Sequence, residues 1–286
     1  MTMKTGLVLE GGAFRTIFST GVCDSFIKAD IYPDYFVGVS AGIAYGVSYL
    51  SRQYGRNLAI LEKYANDKRY MGVRNLINPR NRSYFGIKFT YDTIPNELIP
   101  FDYKAFAEYP GVAEGVVTNL ETGLAEYHRV DPNDREFLIL QASCALPLLF
   151  PIYNINGSPC LDGGVADPIP YERAFEVGCD RVIVILTRER SYVRGHEKAE
   201  KLVDMTYRKY PKFLDVMHRR AENYNKSRDR LFELEREGKV MIFAPHDTTG
   251  FSRTERDTAK VHNLWQDGLT QANERIDDVR RFLAGE

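Results

Sequence analysis

The sequence predicts an α/β fold built on a mostly parallel central sheet. Three observations predict it. Short apolar runs alternate with helix-like segments from residue 6 onward. The first two of these runs each end in a turn carrying two glycines, Gly11-Gly12 and Gly38 to Gly42. Finally, Arg181-Val182-Ile183-Val184-Ile185-Leu186 is continuously apolar after its first residue, the pattern of a parallel strand buried on both faces.

The elements follow in order. Gly6-Leu7-Val8-Leu9 is a strand closed by Glu10-Gly11-Gly12-Ala13. Phe14 to Ile27 is a helix, with Phe14, Phe18, Val22 and Phe26 spaced by four on one face. Tyr32 to Val39 is the second strand and Ile43 to Arg52 the helix after it. Leu58 to Lys68 is helical, and a short helix starts at Asp92-Thr93-Ile94-Pro95. Gly111 to Thr118 and Leu124 to Val130 are paired strands. Asp131-Pro132-Asn133-Asp134 caps a helix over Arg135 to Cys144. Two prolines make Ala145 to Pro151 loop-like, so it either lines a pocket or fills core. Asn156-Gly157 between short apolar runs marks a hairpin that leaves Asp162 at a strand end. Tyr171 to Val177 is helical. From about Glu197 the chain becomes charged, helical and poor in glycine: Lys198 to Tyr207, Phe213 to Glu237 and, with a break, Thr254 to Leu283, with a strand at Lys239 to Ala244. Residues 4–190 thus form one domain, and 197–286 form a mainly helical extension packed on it.

Composition narrows the function classes. With 38 Lys+Arg against 39 Asp+Glu the net charge is -1, which offers no electrostatic case for nucleic acid. No apolar run approaches the ~18 residues of a membrane span. Met1 to Gly6 has no signal-peptide layout, and the scattered Cys23, Cys144, Cys160 and Cys179 read as reduced thiols. A cytoplasmic protein is expected, with contact at a membrane surface left open. No His, Cys or carboxylate cluster has metal-ligand spacing, so neither metal nor cofactor is expected.

Two turns carry candidate chemistry. A glycine turn between strand and helix leaves backbone N–H groups unpaired and can hold an anion, as an oxyanion hole or a phosphate loop. The GxxxxGK[ST] pattern is absent, and so is GxGxxG followed by an acidic ribose ligand. The second turn, Gly38-Val39-Ser40-Ala41-Gly42, places a serine between strand and helix, where a sharp turn exposes it as a nucleophile. Too little sheet precedes Ser40 for an ordinary triad hydrolase. The late His246, in a Pro-His-Asp turn, reads more simply as a surface or capping residue. Asp162-Gly163-Gly164 on its own is an ordinary turn.

Taken together and in order, Gly11-Gly12-Ala13-Phe14-Arg15-Thr16, Gly38-Val39-Ser40-Ala41-Gly42 and Asp162-Gly163-Gly164 resemble the patatin-like phospholipase family. The resemblance spans roughly residues 4–190. Tyr210-Pro211 to Phe251-Ser252-Arg253 also looks like the C-terminal extension of a bacterial subgroup. The resemblance implies a three-layer α/β/α patatin-like fold and a serine acyl hydrolase that cleaves fatty-acyl esters of phospholipids or other lipids. Ser40 is then the nucleophile and Asp162 the proton acceptor, with no histidine between them. Gly11, Gly12 and Ala13 form the oxyanion hole, while Gly38, Gly42, Gly163 and Gly164 are motif glycines. Arg15 either meets a lipid phosphate or braces the turn. The family often carries a third glycine and a glycine after the basic residue, where this chain has Ala13 and Thr16.

The segment Lys68 to Tyr91 alternates cations (Lys68, Arg69, Arg74, Arg80, Arg82, Lys88) with rings (Tyr70, Tyr84, Phe85, Phe89, Tyr91). Its plain reading is a solvated loop with buried rings. Its sharper reading is a cap whose cations meet anionic head groups. Two alternatives accompany the hydrolase reading: a non-catalytic lipid or acyl binder on the same fold, and a small-ester carboxylesterase.

Overall fold

The computed structural model describes residues 3–195 and 200–286. The expected start of the extension at Glu197, the first residues of its first helix and His196 lie outside the described residues. Eight strands form one sheet: β1 Thr5–Leu9, β2 Tyr35–Val39, β3 Val112–Asn119, β4 Ala125–Arg129, β5 Tyr153–Ile155, β6 Ser158–Asp162, β7 Arg181–Ile185 and β8 Val240–Phe243. The helices of the first half are α1 Ile17–Lys28, α2 Ala41–Leu50, α3 Arg56–Tyr64, α4 Val73–Ile77 and α5 Tyr103–Ala107. Those of the second half are α6 Leu138–Ser143, α7 Tyr171–Glu176, α8 Glu200–Tyr207, α9 Pro211–Arg236, α10 Thr258–Glu274 and α11 Ile276–Ala284. Among the described residues, no helix is long and apolar enough to cross a membrane.

The sheet runs β5-β6-β3-β2-β1-β7-β8, with β4 also on β3. Strands β3, β2, β1, β7 and β8 are mutually parallel, while β4 and β6 pair antiparallel with β3, and β5 antiparallel with β6. Alternation of side chains splits the core into two layers. Leu7, Leu9, Phe36, Ile183 and Ile185 face a cluster that includes Phe18 of α1, Ile43 of α2 and Trp265 of α10. Val8, Val37, Val39, Val182 and Val184 face Ala174 of α7 and Tyr224, Leu231 and Leu234 of α9. The result is a three-layer α/β/α arrangement with a largely helical C-terminal region.

That region shares the core. Tyr224, Leu231, Leu234, Trp265 and Leu269 are all buried. At roughly 1.5–3 kcal/mol each, their burial is worth on the order of 10 kcal/mol. Net stabilities of whole domains are of that size, so the sheet depends on these side chains. The contact between α1 and α10 is close enough that a Cβ on Gly21 would stand 2.0 Å from Trp265 O.

Several helices differ in their bounds from the sequence patterns: the one expected over Leu58 to Lys68 ends at Tyr64, the one expected from Thr254 starts at Thr258, and three further elements bear on the site. Residues Ala13–Thr16 form a 3-10 turn ahead of α1, because Ala13 starts at φ 50 and cannot enter an α-helix directly. The helix expected from Asp92 begins earlier, as a π-helical segment over Phe89–Leu98. It contains Pro95, whose missing N–H breaks ordinary α-helical bonding. The helix expected over Arg135 to Cys144 begins only at Leu138. There the Asp134 carboxylate takes the N–H groups of Glu136, Phe137 and Leu138, and Phe137 turns to φ 55.

Candidate active site

Parallel strands bring their C-terminal ends to one edge of the sheet, and the site lies there. The chain leaves β1 into Glu10-Gly11-Gly12, β2 into Ser40 and β7 into Thr187. Because β2 and β7 flank β1, the strand order reverses at this point, and such a point leaves a crevice between the outgoing loops. Asp162 reaches it from the other side. Val39 pairs with Val116, and Val117 with Asp162, so Asp162 ends β6 at the level of the β2 exit, two strands away.

The Ser40 turn is strained and tightly held. Ser40 sits at φ 54, ψ -128, where non-glycine residues are rare. Its N–H donates to Ser143 Oγ of α6 at 2.8 Å. Gly38 and Gly42 make the turn possible through close approach: a Cβ on Gly38 would lie 2.5 Å from Ile43 N, and one on Gly42 2.5 Å from Leu9 O. Gly11 packs against Ser40 itself, since its Cβ would stand 2.9 Å from Ser40 Cβ.

Among the described residues, the N–H groups of Gly11, Gly12 and Ala13 make no hydrogen bond within the protein, whereas Phe14 N donates to Arg253 O and Arg15 N to Gly12 O. Three adjacent unpaired donors beside a strained serine are suited to a developing oxyanion. Glu10 anchors their loop from behind. It is fully buried and accepts from Thr187 N at 2.6 Å and Tyr224 OH at 3.0 Å. Burial pushes its carboxyl up, against the pull of those bonds and of Arg15. Ala13 occupies the left-handed region at φ 50, where glycine is unstrained. We expect Ala13→Gly to raise stability by about 0.5–1 kcal/mol, the relief of left-handed strain less the added freedom of the unfolded chain. Denaturant titration measures it, and unchanged or lower stability would show that the Cβ packs more favourably than its backbone is strained.

Asp162 is 1% exposed. Its Oδ1 accepts from Gly164 N at 2.8 Å, while its Oδ2 is buried without a hydrogen-bond partner. Burial pushes the carboxyl above its ordinary range. The neighbouring Ser40 hydroxyl pulls it back most, followed by Arg220, the Gly164 N–H and Arg194. Gly163 lets the turn press on β3, where a Cβ would stand 2.3 Å from Val116 O.

Two cavities meet at Ser40. One is an apolar chamber lined by Tyr45, Tyr70, Phe85, Tyr91, Leu146 and Phe150 among others. The other is a polar cleft holding Glu10, Asp162 and the arginines 15, 194, 220 and 253. Arg15 is 7% exposed and its Nε has no hydrogen-bond partner. Burial and the nearby Arg188 and Arg253 draw its pKa down to about 10.

The Lys68 to Tyr91 segment divides. Its rings Tyr70, Phe85 and Tyr91 line the chamber, while Lys68, Arg69, Arg74, Arg80, Arg82 and Lys88 are exposed. His246 stands apart, exposed and paired with Asp267. Ser143, Cys144, Thr187 and Tyr224 at the site carry no sequence signal of their own. They arrive by packing of distant elements. Cys144 lines the chamber beside Ser40, and burial pushes its thiol up to about 12, which disfavours the reactive thiolate.

A serine on a strand-to-helix elbow at the carboxyl edge of a parallel sheet places the chain among α/β proteins of the nucleophile-elbow class. More particularly, the chain belongs to the patatin-like phospholipase family, whose sequence model matches residues 7–175. A second model, the domain of unknown function DUF6363, matches residues 210–284. The uncharacterized protein YjjU of Escherichia coli strain K12 is 24% identical over 187 residues, covering 64% of this chain and 52% of that protein. The chain therefore spans about half the length of this curated relative. The crystal structure of VipD from Legionella pneumophila resembles it with a TM-score of 0.48 and 14% identity, over 97% of this chain and 67% of that one.

Proposed function

We propose that the protein is a serine acyl hydrolase that cleaves fatty-acyl esters of lipids through Ser40 and Asp162. The observation that carries the reading is the buried, unpartnered Asp162 Oδ2 beside a strained serine that opens onto an apolar chamber. Ser40 Oγ attacks the ester carbonyl carbon and its proton passes to Asp162. The amides of Gly11, Gly12 and Ala13 hold the oxyanion, each donor being worth about 3–4 kcal/mol in comparable sites. The intermediate collapses, the alcohol leaves with the proton from Asp162, and the acyl group stays on Ser40. Water then attacks this ester while Asp162 takes its proton, and the free acid departs as Oγ is reprotonated. A carboxylate at the ordinary value of 3.8 is a weak base, and burial makes Asp162 a stronger one.

A fluorophosphonate probe is expected to label the wild type at Ser40 and to fail on Ser40→Ala. Labelling that persists in the variant sinks the reading. Saturable fatty-acid binding with no Ser40-dependent ester hydrolysis would instead support the non-catalytic binder. The pH dependence carries a sign. Asp162 must be charged to accept a proton, so kcat/KM falls as pH drops through its raised pKa. The acid limb is expected above 3.8, and a limb at or below that value contradicts a buried base.

A further inference from the structure

Residues 210–284, which match a domain of unknown function, touch two of the loops beside Ser40, the one after β1 and the one after β6. Arg220 of α9 donates from Nε to Gly164 O at 2.9 Å, next to Asp162. One turn later, Tyr224 OH reaches Glu10, which leads into Gly11-Gly12. After β8, Arg253 O accepts from Phe14 N at 3.2 Å, tying down the turn that contains Ala13. Two of these residues, Arg220 and Arg253, also line the polar cleft.

The cleft is lined by the carboxylates of Glu10 and Asp162 and by the guanidinium groups of Arg15, Arg194, Arg220 and Arg253. Glu10 accepts hydrogen bonds from Thr187 and Tyr224, and Asp162 Oδ1 accepts one from Gly164. Arg194 and Arg220 have further partners. Arg15 and Arg253 remain. Arg15 is buried with an unpartnered Nε and is repelled by Arg253 and Arg188, and among the described residues the Arg253 guanidinium has no ion pair. Two guanidinium groups lining one cleft suit an oxyanion that both can reach. The position matters as much as the charge. Ser40, Ala13 and Leu146 belong to both cavities, so a lipid whose acyl chain fills the chamber projects its remaining part into the cleft. In a glycerophospholipid only the glycerol backbone separates the acyl ester from the phosphate.

We propose that residues 210–284 build the head-group half of the substrate site, with Arg253 facing Arg15 to bind the phosphate of a glycerophospholipid. The inference rests on Ser40 being the acyl-transfer nucleophile. Arg253 is a specificity residue that contacts the substrate outside the reacting bond. Its side chain is exposed, and the bond to Phe14 comes from its backbone, so the side chain can be changed without removing that bond.

The test compares dioleoyl phosphatidylglycerol with dioleoylglycerol, each at low mole fraction in uncharged detergent micelles. The protein is the full chain, as wild type, Arg253→Gln and Arg253→Lys. The expected result is a fall of about tenfold or more in the ratio of kcat/KM values, phospholipid over diacylglycerol, for Arg253→Gln. The fall should come mainly from KM, and Arg253→Lys should recover most of the ratio. An equal loss on both lipids overturns the proposal, because it would mean that Arg253 only shapes the loop. An unchanged ratio overturns it as well. Inorganic phosphate separates the two sources of the anion: Arg253-dependent inhibition of dioleoylglycerol turnover with an unchanged lipid ratio assigns the cleft to free phosphate and removes the head-group role. If wild-type turnover of either lipid persists in Ser40→Ala, the acyl-hydrolase reading itself has failed, which is a different result from a changed ratio.

Discussion

Asp162→Asn is expected to lower kcat by about three orders of magnitude or more while the thermal transition stays at or above that of the wild type. The two halves of this result have one cause. Asparagine is nearly isosteric and its Oδ1 can still accept from Gly164 N, so the turn is retained. What is lost is the charge at the position of Oδ2, where no protein group is hydrogen-bonded. The folded pKa of Asp162 is raised, so the folded state holds its proton more tightly than the unfolded chain does. Its contribution to stability is therefore complete below the ordinary value of 3.8 and is lost as pH rises through the raised folded value. Near neutral pH the ionised group costs stability, and asparagine removes that cost. Ester hydrolysis and thermal melting on the same sample check both halves. Turnover near the wild-type rate would sink the dyad, whereas a large drop in melting temperature would mean that Asp162 is chiefly structural.

Gly11→Ala should cost about 10²–10³-fold in kcat and about 1–3 kcal/mol of stability. The added Cβ would stand 2.8 Å from Val39 O and 2.9 Å from Ser40 Cβ. Neither neighbour can yield without moving the nucleophile or the donor loop, so at least one oxyanion donor leaves its place. Acylation by a p-nitrophenyl ester under single-turnover conditions reads the catalytic part, and denaturant titration reads the other. If acylation is unchanged, the amides of this loop are not the oxyanion donors.

The α/β alternation, the buried β7 run and the Asn156-Gly157 hairpin were legible because they follow from local periodicity and turn chemistry. Helix starts were less legible. Asp134 captures three N–H groups and delays α6 to Leu138, a competition between side chain and backbone that spacing alone does not reveal. The rings of the Lys68 to Tyr91 segment were visible as rings, but their place in the chamber depends on how the segment folds back over α2 and α6.

By itself, the sequence determined which residues could carry the chemistry. Glycines at 11, 12, 38 and 42 around one serine, and an aspartate before two more, are chemical identities that a linear pattern records. Only the tertiary structure decided their environment. The β2–β3–β6 register brings Asp162 to the level of Ser40, and burial by elements far away in the chain raises its pKa. Tyr224, Arg220 and Arg253 reach the loops around Ser40 from the last third of the chain, in a region whose sequence reads only as charged, mainly helical and poor in glycine. The physical reason is the same in each case. Desolvation, close approach and hydrogen bonding across more than a hundred residues depend on three-dimensional packing, and no local pattern encodes it.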